Sequence, residues 1–349
     1  MVTAELLRSI PKVQLHCHLE GTLRPSTFID LARRRGVALT YRRGQAREVL
    51  PAFEDPVDPE GVYRFADFQE FLMTFAAVSR SLAEPADYGR LASEYVQDAL
   101  KHNVAHAEVF ISPSVWRFFH PDIDVRACVR AMREAFDAES QALEVQLIAD
   151  VTRNFGVESA MRTARAALEL QDLGVIGIGL GGDEARYPAE LFEDVYVFAR
   201  KEGLHTVAHA GEAAGAQSVH AAIHVLGAER IGHGIRALED PQTVQLLAQR
   251  RIPLEICPTS NMLTGVARRG DPHPLLELDA AGCMVTIDAD DPALFGTSIT
   301  EEYAYVAQIA GMDALLRFAA NAVDASFTAP ERKAALHQRL EVYRQHVGP

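Results

Sequence analysis

The sequence has little that would tie it to a membrane or to an oxidising compartment. No uninterrupted apolar run approaches the length of a transmembrane helix, so we expect no membrane span. The first residues lack a basic flank followed by an apolar run, so we expect no signal peptide. The cysteines are scattered without a C-x-x-C pair, which favours reduced thiols and a cytoplasmic location: Cys17, Cys128, Cys257 and Cys283.

Positive charge is also scarce. Lys and Arg number 34 against 48 Asp and Glu, which gives a formal net charge of −14. This balance argues against a nucleic acid or an anionic membrane surface as the main partner, and it leaves a small neutral or cationic ligand open. The sequence has no obvious interdomain linker and no low-complexity segment, so a single domain over residues 1–349 is predicted.

The sequence does contain short apolar segments, rich in β-branched residues, that alternate with stretches of helical spacing. This alternation predicts a parallel sheet, and eight such units suit a single (β/α)8 TIM-type barrel, an α/β fold. A doubly wound open sheet is the competing architecture, but no G-x-G-x-x-G follows the first segment. The predicted strands are 12–17, 104–112, 143–151, 174–182, 204–211, 230–234, 252–258 and 283–291.

One interval is too long for a simple crossover, because about 85 residues separate the first two predicted strands. Within it, residues 51–82 are rich in aromatic residues and broken by prolines. An insertion that leaves strand one at its carboxyl end lies over the barrel mouth, so we interpret 51–82 as a helical lid, with a structural buttress as the alternative. Residues 297–349 are predicted to form C-terminal helices.

Reactive side chains recur where these predicted strands end. In a (β/α)8 barrel, the carboxyl ends of the strands form the face that carries the active site. Core packing gives no reason for polar residues to collect there in strand after strand. The residues are His16, His18, His209, Glu212, His233, Asp290 and Asp291.

Three imidazoles and one carboxylate form a donor set that suits a single Zn²⁺ with room for a water molecule. His16 and His18 are two residues apart, so they point to the same side of an extended chain. The predicted ligands are His16, His18, His209 and Asp290. His233 is placed to accept a proton from the water or to orient it. Glu212 is a candidate general acid, which requires a raised pKa.

Six motifs in order along the chain resemble the adenosine deaminase family of metal-dependent purine deaminases. They are PKVQLHCHLEGTL, GGDEARYP, HAGE, RIGHG, CPTSN and DADDPALFGTSITEEY, and they run from about residue 11 to residue 305. The resemblance implies a (β/α)8 barrel in which one zinc activates water for attack at C6 of an adenine ring. Ammonia then leaves, and a hypoxanthine ring remains.

The resemblance also assigns roles by position. It makes the four predicted ligands the zinc ligands of the family, Glu212 the acid that protonates ring N1, and His233 the residue that handles the attacking water. Asp291 is expected to contact N7, and the backbone of Gly182 is expected to contact N3. A small purine is the implied partner.

Three positions depart from the family pattern. Glu20 stands where adenosine-specific members carry an aspartate for the sugar hydroxyl; its HLEGT form resembles adenine deaminases, and it would fill part of the ribose pocket or grip a different 5′ substituent. Gly179 replaces a common aspartate on the fourth strand of the barrel. Asp288 stands where asparagine is usual, either as a partner that positions a metal ligand or as a polar barrel residue.

The leading expectation is hydrolytic deamination of adenosine or 2′-deoxyadenosine to the inosine compound. The alternatives are adenine deamination to hypoxanthine and deamination of 6-amino-6-deoxyfutalosine in menaquinone synthesis. A two-metal hydrolase usually needs a lysine at the end of the fourth strand, and IGIGLGGDE offers none. The H-x-E and P-C-x-x-C pattern of cytidine deaminases is absent as well.

Overall fold

A computed structural model describes residues 3–43, 46–50, 59–66 and 68–347. Eight parallel strands follow one another around a barrel in chain order, which confirms the predicted fold. They are β1 Lys12–Gln14, β4 Val104–Ile111, β5 Glu144–Thr152, β6 Val175–Gly181, β7 His205–Ala210, β8 Arg230–His233, β9 Pro253–Ile256 and β10 Met284–Ile287. An antiparallel hairpin, β2 Leu39–Arg43 and β3 Ala46–Leu50, stands apart from the barrel.

Helices connect the strands and cover the barrel. Seven of the helices in the described residues begin with proline, whose fixed φ and missing N–H suit the first helical position: Pro25, Pro85, Pro113, Pro241, Pro258, Pro292 and Pro330. The helices are α1 Ala4–Ser9, α2 Pro25–Arg34, α3 Phe68–Ser81, α4 Pro85–Lys101, α5 Pro113–Phe119, α6 Val125–Asp137, α7 Gly156–Glu169, α8 Glu193–Lys201, α9 Ala216–Ala221, α10 Pro241–Arg250, α11 Pro258–Leu263, α12 Leu275–Ala280, α13 Pro292–Phe295, α14 Ile299–Ala325 and α15 Pro330–Val347.

The barrel closes between its last and first strands through the segments that carry the predicted ligands. The His18 N–H donates to the Asp290 carbonyl at 2.9 Å, and the Asp290 N–H donates to the His16 carbonyl at 3.1 Å. Asp288 Oδ1 accepts the N–H groups of Leu15 and His16 at 2.6 and 3.0 Å. Asp288 is therefore a partner that positions a ligand-bearing segment.

The predicted strand 12–17 was too long, since β1 ends at Gln14. Beyond it, the Asp288 side chain takes two backbone N–H groups that a neighbouring strand would otherwise bind. His16 and His18 lie on this irregular extension, which continues the barrel wall only through isolated bridges.

The long interval after β1 contains α2, the hairpin and α3 before the crossover helix α4. Of the predicted lid 51–82, residues 51–58 and 67 lie outside the described residues, whereas 59–63 form a short 3-10 helix and α3 covers 68–81. The predicted C-terminal helices are α14, interrupted at Gly311, and α15. Within the described ranges, no helix has both the length and the apolar character to cross a membrane.

Candidate active site

The four predicted metal ligands converge at the carboxyl end of the barrel. Their donor atoms all lie within 4.8 Å of one another, although they come from three separate parts of the chain. His18 Nε2 is 3.2 Å from His209 Nε2, and Asp290 Oδ1 is 3.5 Å from both His16 Nε2 and His18 Nε2. Three imidazole nitrogens and a carboxylate that meet in this way form a site for one divalent cation.

Two of the imidazoles are oriented by contacts at Nδ1, on the side of the ring that faces away from the cluster. His16 Nδ1 is 2.9 Å from Glu255 Oε2, and His209 Nδ1 is 3.1 Å from the Leu180 carbonyl. Each acceptor fixes the Nδ1–H tautomer, so Nε2 presents its lone pair to the centre of the cluster. His16 Nε2 is buried without a hydrogen-bond partner among the described residues, which suits a nitrogen that binds a metal.

The two predicted proton carriers lie beside this cluster. His233 Nε2 is 3.6 Å from Glu212 Oε2, and Asn261 contacts His233 Nδ1 at 3.2 Å. Burial, reinforced by the charges of Asp290 and Glu184, raises the pKa of Glu212 to about 8. Burial lowers the pKa of His233 to about 3. At neutral pH the carboxyl therefore holds a proton and the imidazole is uncharged.

The loop that carries Glu212 is held by a second carboxylate. Glu184 accepts the backbone N–H groups of Gly211, Glu212, Ala213 and Ala214 at 2.6 to 3.2 Å. Two other site residues, His233 and Asp290, adopt a left-handed backbone with φ of 61°. Such a conformation is costly for residues other than glycine and is concentrated at functional sites.

A cavity of about 370 Å³ opens from the cluster to the barrel mouth, within the range of small-molecule sites. Its outer part is apolar, and α3 and α5 contribute Phe71, Leu72, Phe75, Phe118 and Phe119. In the part of the chain that the structure describes, no lysine or arginine lines this cavity. Five acidic residues do: Asp150, Asp183, Glu212, Asp290 and Asp291.

The predicted substrate-binding residues are not equally placed. Gly182, with φ of 94°, and Asp291 both line the cavity. Asp291 Oδ1 is buried without a partner among the described residues, and a Cβ at Gly21 would lie 1.9 Å from it. Glu20 is fully buried and is not among the described residues that line the cavity. Its Oε1 accepts hydrogen bonds from Ser112 N at 2.9 Å and from Trp116 Nε1 at 2.7 Å.

Sequence reasoning missed several residues of this site. Glu255 and Asp150 lie inside strands. Asn261 belongs to the CPTSN motif and Glu184 to the GGDEARYP motif, but the sequence assigned neither residue a role. Only the strand alternation could have indicated the first two, because both side chains reach into the barrel, where Glu255 contacts His16 and Asp150 lines the cavity. Their partners depend on neighbouring strands that the sequence does not identify.

Comparison with the sequences of known proteins identifies the family. A family model described as Adenosine deaminase matches residues 11–343. The chain belongs to the adenosine deaminase family. It is 34% identical to an adenine deaminase from Vibrio parahaemolyticus, covering 97% of each chain, and 35% identical to an aminodeoxyfutalosine deaminase from Streptomyces coelicolor, covering 97% of this chain and 85% of that one.

Solved structures give the same result. An adenine deaminase from Arthrobacter aurescens superposes with a TM-score of 0.85 at 30% identity, covering 96% of this chain and 99% of that one. An amidohydrolase from Burkholderia ambifaria with bound Zn superposes with a TM-score of 0.84 at 26% identity, covering 99% and 95%. This protein is thus a hydrolytic deaminase of an adenine-ring compound, and its four converging donor residues could hold a metal ion.

Proposed function

We propose that the protein hydrolyses adenine to hypoxanthine and ammonia with one zinc ion per chain. The observation that carries the proposal is the meeting of three elements in one cavity. These are a cluster of donors that fits a divalent cation, a carboxyl that keeps its proton at neutral pH, and an imidazole that has none.

His16, His18, His209 and Asp290 would hold the zinc, and their three nitrogens and one oxygen are donors that this ion prefers. When bound, the zinc supplies a water whose pKa is lowered to about 7, so a nucleophile is available at neutral pH. The zinc-containing relative supports this choice of ion.

Glu212 and His233 would move the protons. Glu212 delivers its proton to ring N1, which draws electrons from C6 and makes that carbon electrophilic. His233 Nε2 accepts a proton from the attacking water, and its burial keeps it neutral for that purpose. The water adds to C6, the proton held by His233 passes to the amino group, which leaves as ammonia, and the added hydroxyl returns a proton to Glu212 as the C6 carbonyl of hypoxanthine forms.

The ring itself would be fixed from opposite sides of the barrel. Asp291, after β10, would donate a hydrogen bond to N7, because burial and the charge of Asp290 raise the pKa of its carboxyl well above the usual value and its buried Oδ1 has no other partner among the described residues. The Gly182 backbone, after β6, would bind N3. In an eight-stranded barrel these two strands are four positions apart, so they face each other across the cavity.

The choice of adenine over adenosine, the leading expectation from sequence, rests on Glu20 and on the relatives. Glu20 carries the residue type of the adenine deaminase motif, and the curated relatives reported above are named for adenine and for aminodeoxyfutalosine. Purified enzyme should release ammonia from adenine with a kcat/KM at least about tenfold above that for adenosine or 2′-deoxyadenosine. A preference for adenosine would contradict the proposal.

A 5′-modified adenine nucleoside is the second candidate, because the cavity extends past the space of a purine to an apolar mouth. Phe118, 63% exposed, and Leu72, 45% exposed, give that mouth an unfilled apolar surface. Efficient turnover of aminodeoxyfutalosine with little turnover of adenine would favour this reading. A 5′-phosphate is disfavoured, since acidic residues and no described cation line the cavity.

A further inference from the structure

Asp150 is a buried carboxyl in the cavity that the reaction described above does not use. It lies on the inward side of β5, is 5% exposed and lines the cavity near its polar end. Its Oδ1 is buried and has no hydrogen-bond partner among the described residues. Buried polar atoms in folded proteins are nearly always paired, so an orphaned oxygen beside a binding cavity indicates a partner that arrives with the ligand.

Two glycines make the space for this carboxyl. Asp150 pairs in register with Gly179 of β6. A Cβ at Gly179 would lie 2.6 Å from Asp150 Oδ1, and a Cβ at Gly181 would lie 2.6 Å from Oδ2. Because neither residue has a side chain, the carboxyl occupies a notch in the neighbouring strand. Gly179, which departs from the family pattern by lacking an aspartate, therefore leaves the space into which the Asp150 carboxyl reaches from β5.

The contrast with Asp288 separates a structural from a ligand-binding role. Asp288 is equally buried inside the same barrel, but its oxygens accept two backbone N–H groups and the Thr286 hydroxyl. Asp150 receives no comparable support. Burial and the nearby Glu20 raise its pKa to about 8, which reflects the cost of leaving this group without a donor.

The position of Asp150 indicates which part of the ring it meets. In the proposed binding mode, Gly182 takes N3 and Asp291 takes N7 on the opposite side. N9 is separated from N3 by a single ring carbon, so it lies on the Gly182 side. Asp150 Oδ2 lies against Gly181, the residue before Gly182. Glu20 also has a buried oxygen without a partner among the described residues, Oε2, but Glu20 does not line the cavity and its Oε1 is already bound by Ser112 and Trp116.

We propose that the Asp150 carboxyl accepts a hydrogen bond from N9–H of adenine and so selects the free base over adenines substituted at N9. This inference rests on the proposed function. A carbonyl or carboxylate oxygen of Asp150 can accept that bond in either protonation state. An N9-substituted ring cannot donate it, and binding such a ring leaves the buried carboxyl unpaired.

The test compares adenine with 9-methyladenine, which lacks only the N9–H. For the wild-type, zinc-loaded protein we expect kcat/KM for adenine to exceed that for 9-methyladenine by about 10- to 100-fold. Asp150→Ala should bring this ratio close to one, mainly by lowering the value for adenine. Asp150→Asn keeps an acceptor oxygen and should retain most of the ratio. The zinc content of all variants should equal that of the wild type.

Two further variants serve as controls for this comparison. Gly181→Ala places a methyl group 2.6 Å from Asp150 Oδ2 and against no other residue, so it should reduce the ratio without removing the carboxyl. Asp172→Asn changes an exposed aspartate that pairs with Arg126 and does not line the cavity, and it should leave the ratio unchanged. If Asp150→Ala does not fold, the Gly181→Ala result decides.

The outcomes separate this inference from the proposed function. Equal losses for both substrates in Asp150→Ala, or a ratio that stays high in that variant, would overturn the role of Asp150 while leaving adenine deamination intact. Equal turnover of both substrates by the wild type would do the same. Release of ammonia from neither substrate would instead refute the proposed function.

Discussion

Two clusters of titratable residues, most of them buried, lie in the same barrel, and they are built in opposite ways. The mouth cluster lies at the carboxyl ends of the strands and consists of His16, His18, His209, Glu212, His233 and Asp290. The interior ion network lies beneath it and consists of His106, Glu108, Glu144, Arg230 and Glu255. Glu255 joins the two through His16.

The interior ion network pairs each charge with an opposite one. Arg230 forms buried ion pairs with both Glu108 and Glu255. His106 lies 3.0 Å from Glu108 Oε1 and 2.8 Å from Glu144 Oε2. Burial alone would raise the pKa of Glu108, but Arg230 and His106 outweigh it and hold that pKa at about 2. These groups keep their charges and bind one another.

The mouth cluster pairs its groups less completely, because three imidazoles share the single carboxylate of Asp290, and Glu212 has only His233 nearby, at 3.6 Å. Three imidazoles face one another, and burial moves the pKa values of Glu212 and His233 towards the uncharged forms. A buried group without a partner costs stability, and the adjacent network shows that this barrel can supply partners where it needs them. The unpaired groups are therefore those available for a metal and a substrate.

The largest expected effect is the loss of both metal and activity on Asp290→Ala. This change removes the only carboxylate of the four-donor set, so we expect zinc content to fall well below one per chain and adenine turnover to fall to background. Metal analysis after gel filtration, together with an ammonia assay, measures both. Retention of stoichiometric zinc would mean that Asp290 is not a ligand.

Glu212→Gln should lower kcat by about 10²- to 10⁴-fold and leave zinc bound, because an amide cannot deliver the proton to N1. Although this change lowers kcat, it should not lower the stability of the folded protein. The folded state holds the Glu212 proton more tightly than the unfolded chain does, so the free energy of unfolding falls as pH rises from about 4.5 to about 8. Urea unfolding at pH 8 should find the variant at least as stable as the wild type. Loss of zinc would instead identify Glu212 as a ligand.

Glu108→Gln is the matched carboxylate-to-amide change in the interior ion network. It leaves Arg230 and His106 short of a negative partner, so the free energy of unfolding should fall by about 3–5 kcal/mol. Urea unfolding measures this, and the folded fraction should keep its zinc and its kcat. If this variant were as stable as Glu212→Gln, the two clusters would not differ in the way described.

Glu255→Gln should have an intermediate effect, because Glu255 belongs to both clusters. It weakens the acceptor that orients His16, and such changes typically reduce metal affinity by about 10- to 100-fold. Competition with a chelator of known affinity measures this. An unchanged zinc affinity would confine Glu255 to the structural network.

The smallest effect is on the pH profile. Because Glu212 must be protonated to act as an acid and its pKa is about 8, kcat should decline about tenfold per pH unit above pH 8. Steady-state rates with saturating adenine between pH 6 and 10 measure this. A profile that stays flat to pH 10 would remove Glu212 from the role of acid.

The sequence predicted the barrel and the converging strand ends because both depend on local alternation and on one topological rule. The bounds of β1 were wrong because the Asp288 side chain ends the ladder there, and no local signal marks that contact. The interior ion network was missed for a related reason. His106, Glu108, Arg230 and Glu255 lie on three strands far apart in sequence, and each alone is indistinguishable from an ordinary polar residue.

The predicted role of Glu20 met a similar limit. Its position in HLEGT indicated a residue near the substrate, but its depth depends on Trp116 and Ser112, which bind it from another strand end. Of these two carboxyls, the one that lines the cavity belongs to Asp150, and the space for it depends on two glycines of the next strand. The lid role of 51–82 stays a prediction, although α3 lines the cavity.

The most direct test is a zinc titration of the chelator-treated protein, with conversion of adenine to hypoxanthine as the signal. Activity should rise linearly and reach its plateau at one zinc per chain. A protein that makes no hypoxanthine at any zinc level, that is fully active without metal, or that reaches its plateau at two ions would contradict the account.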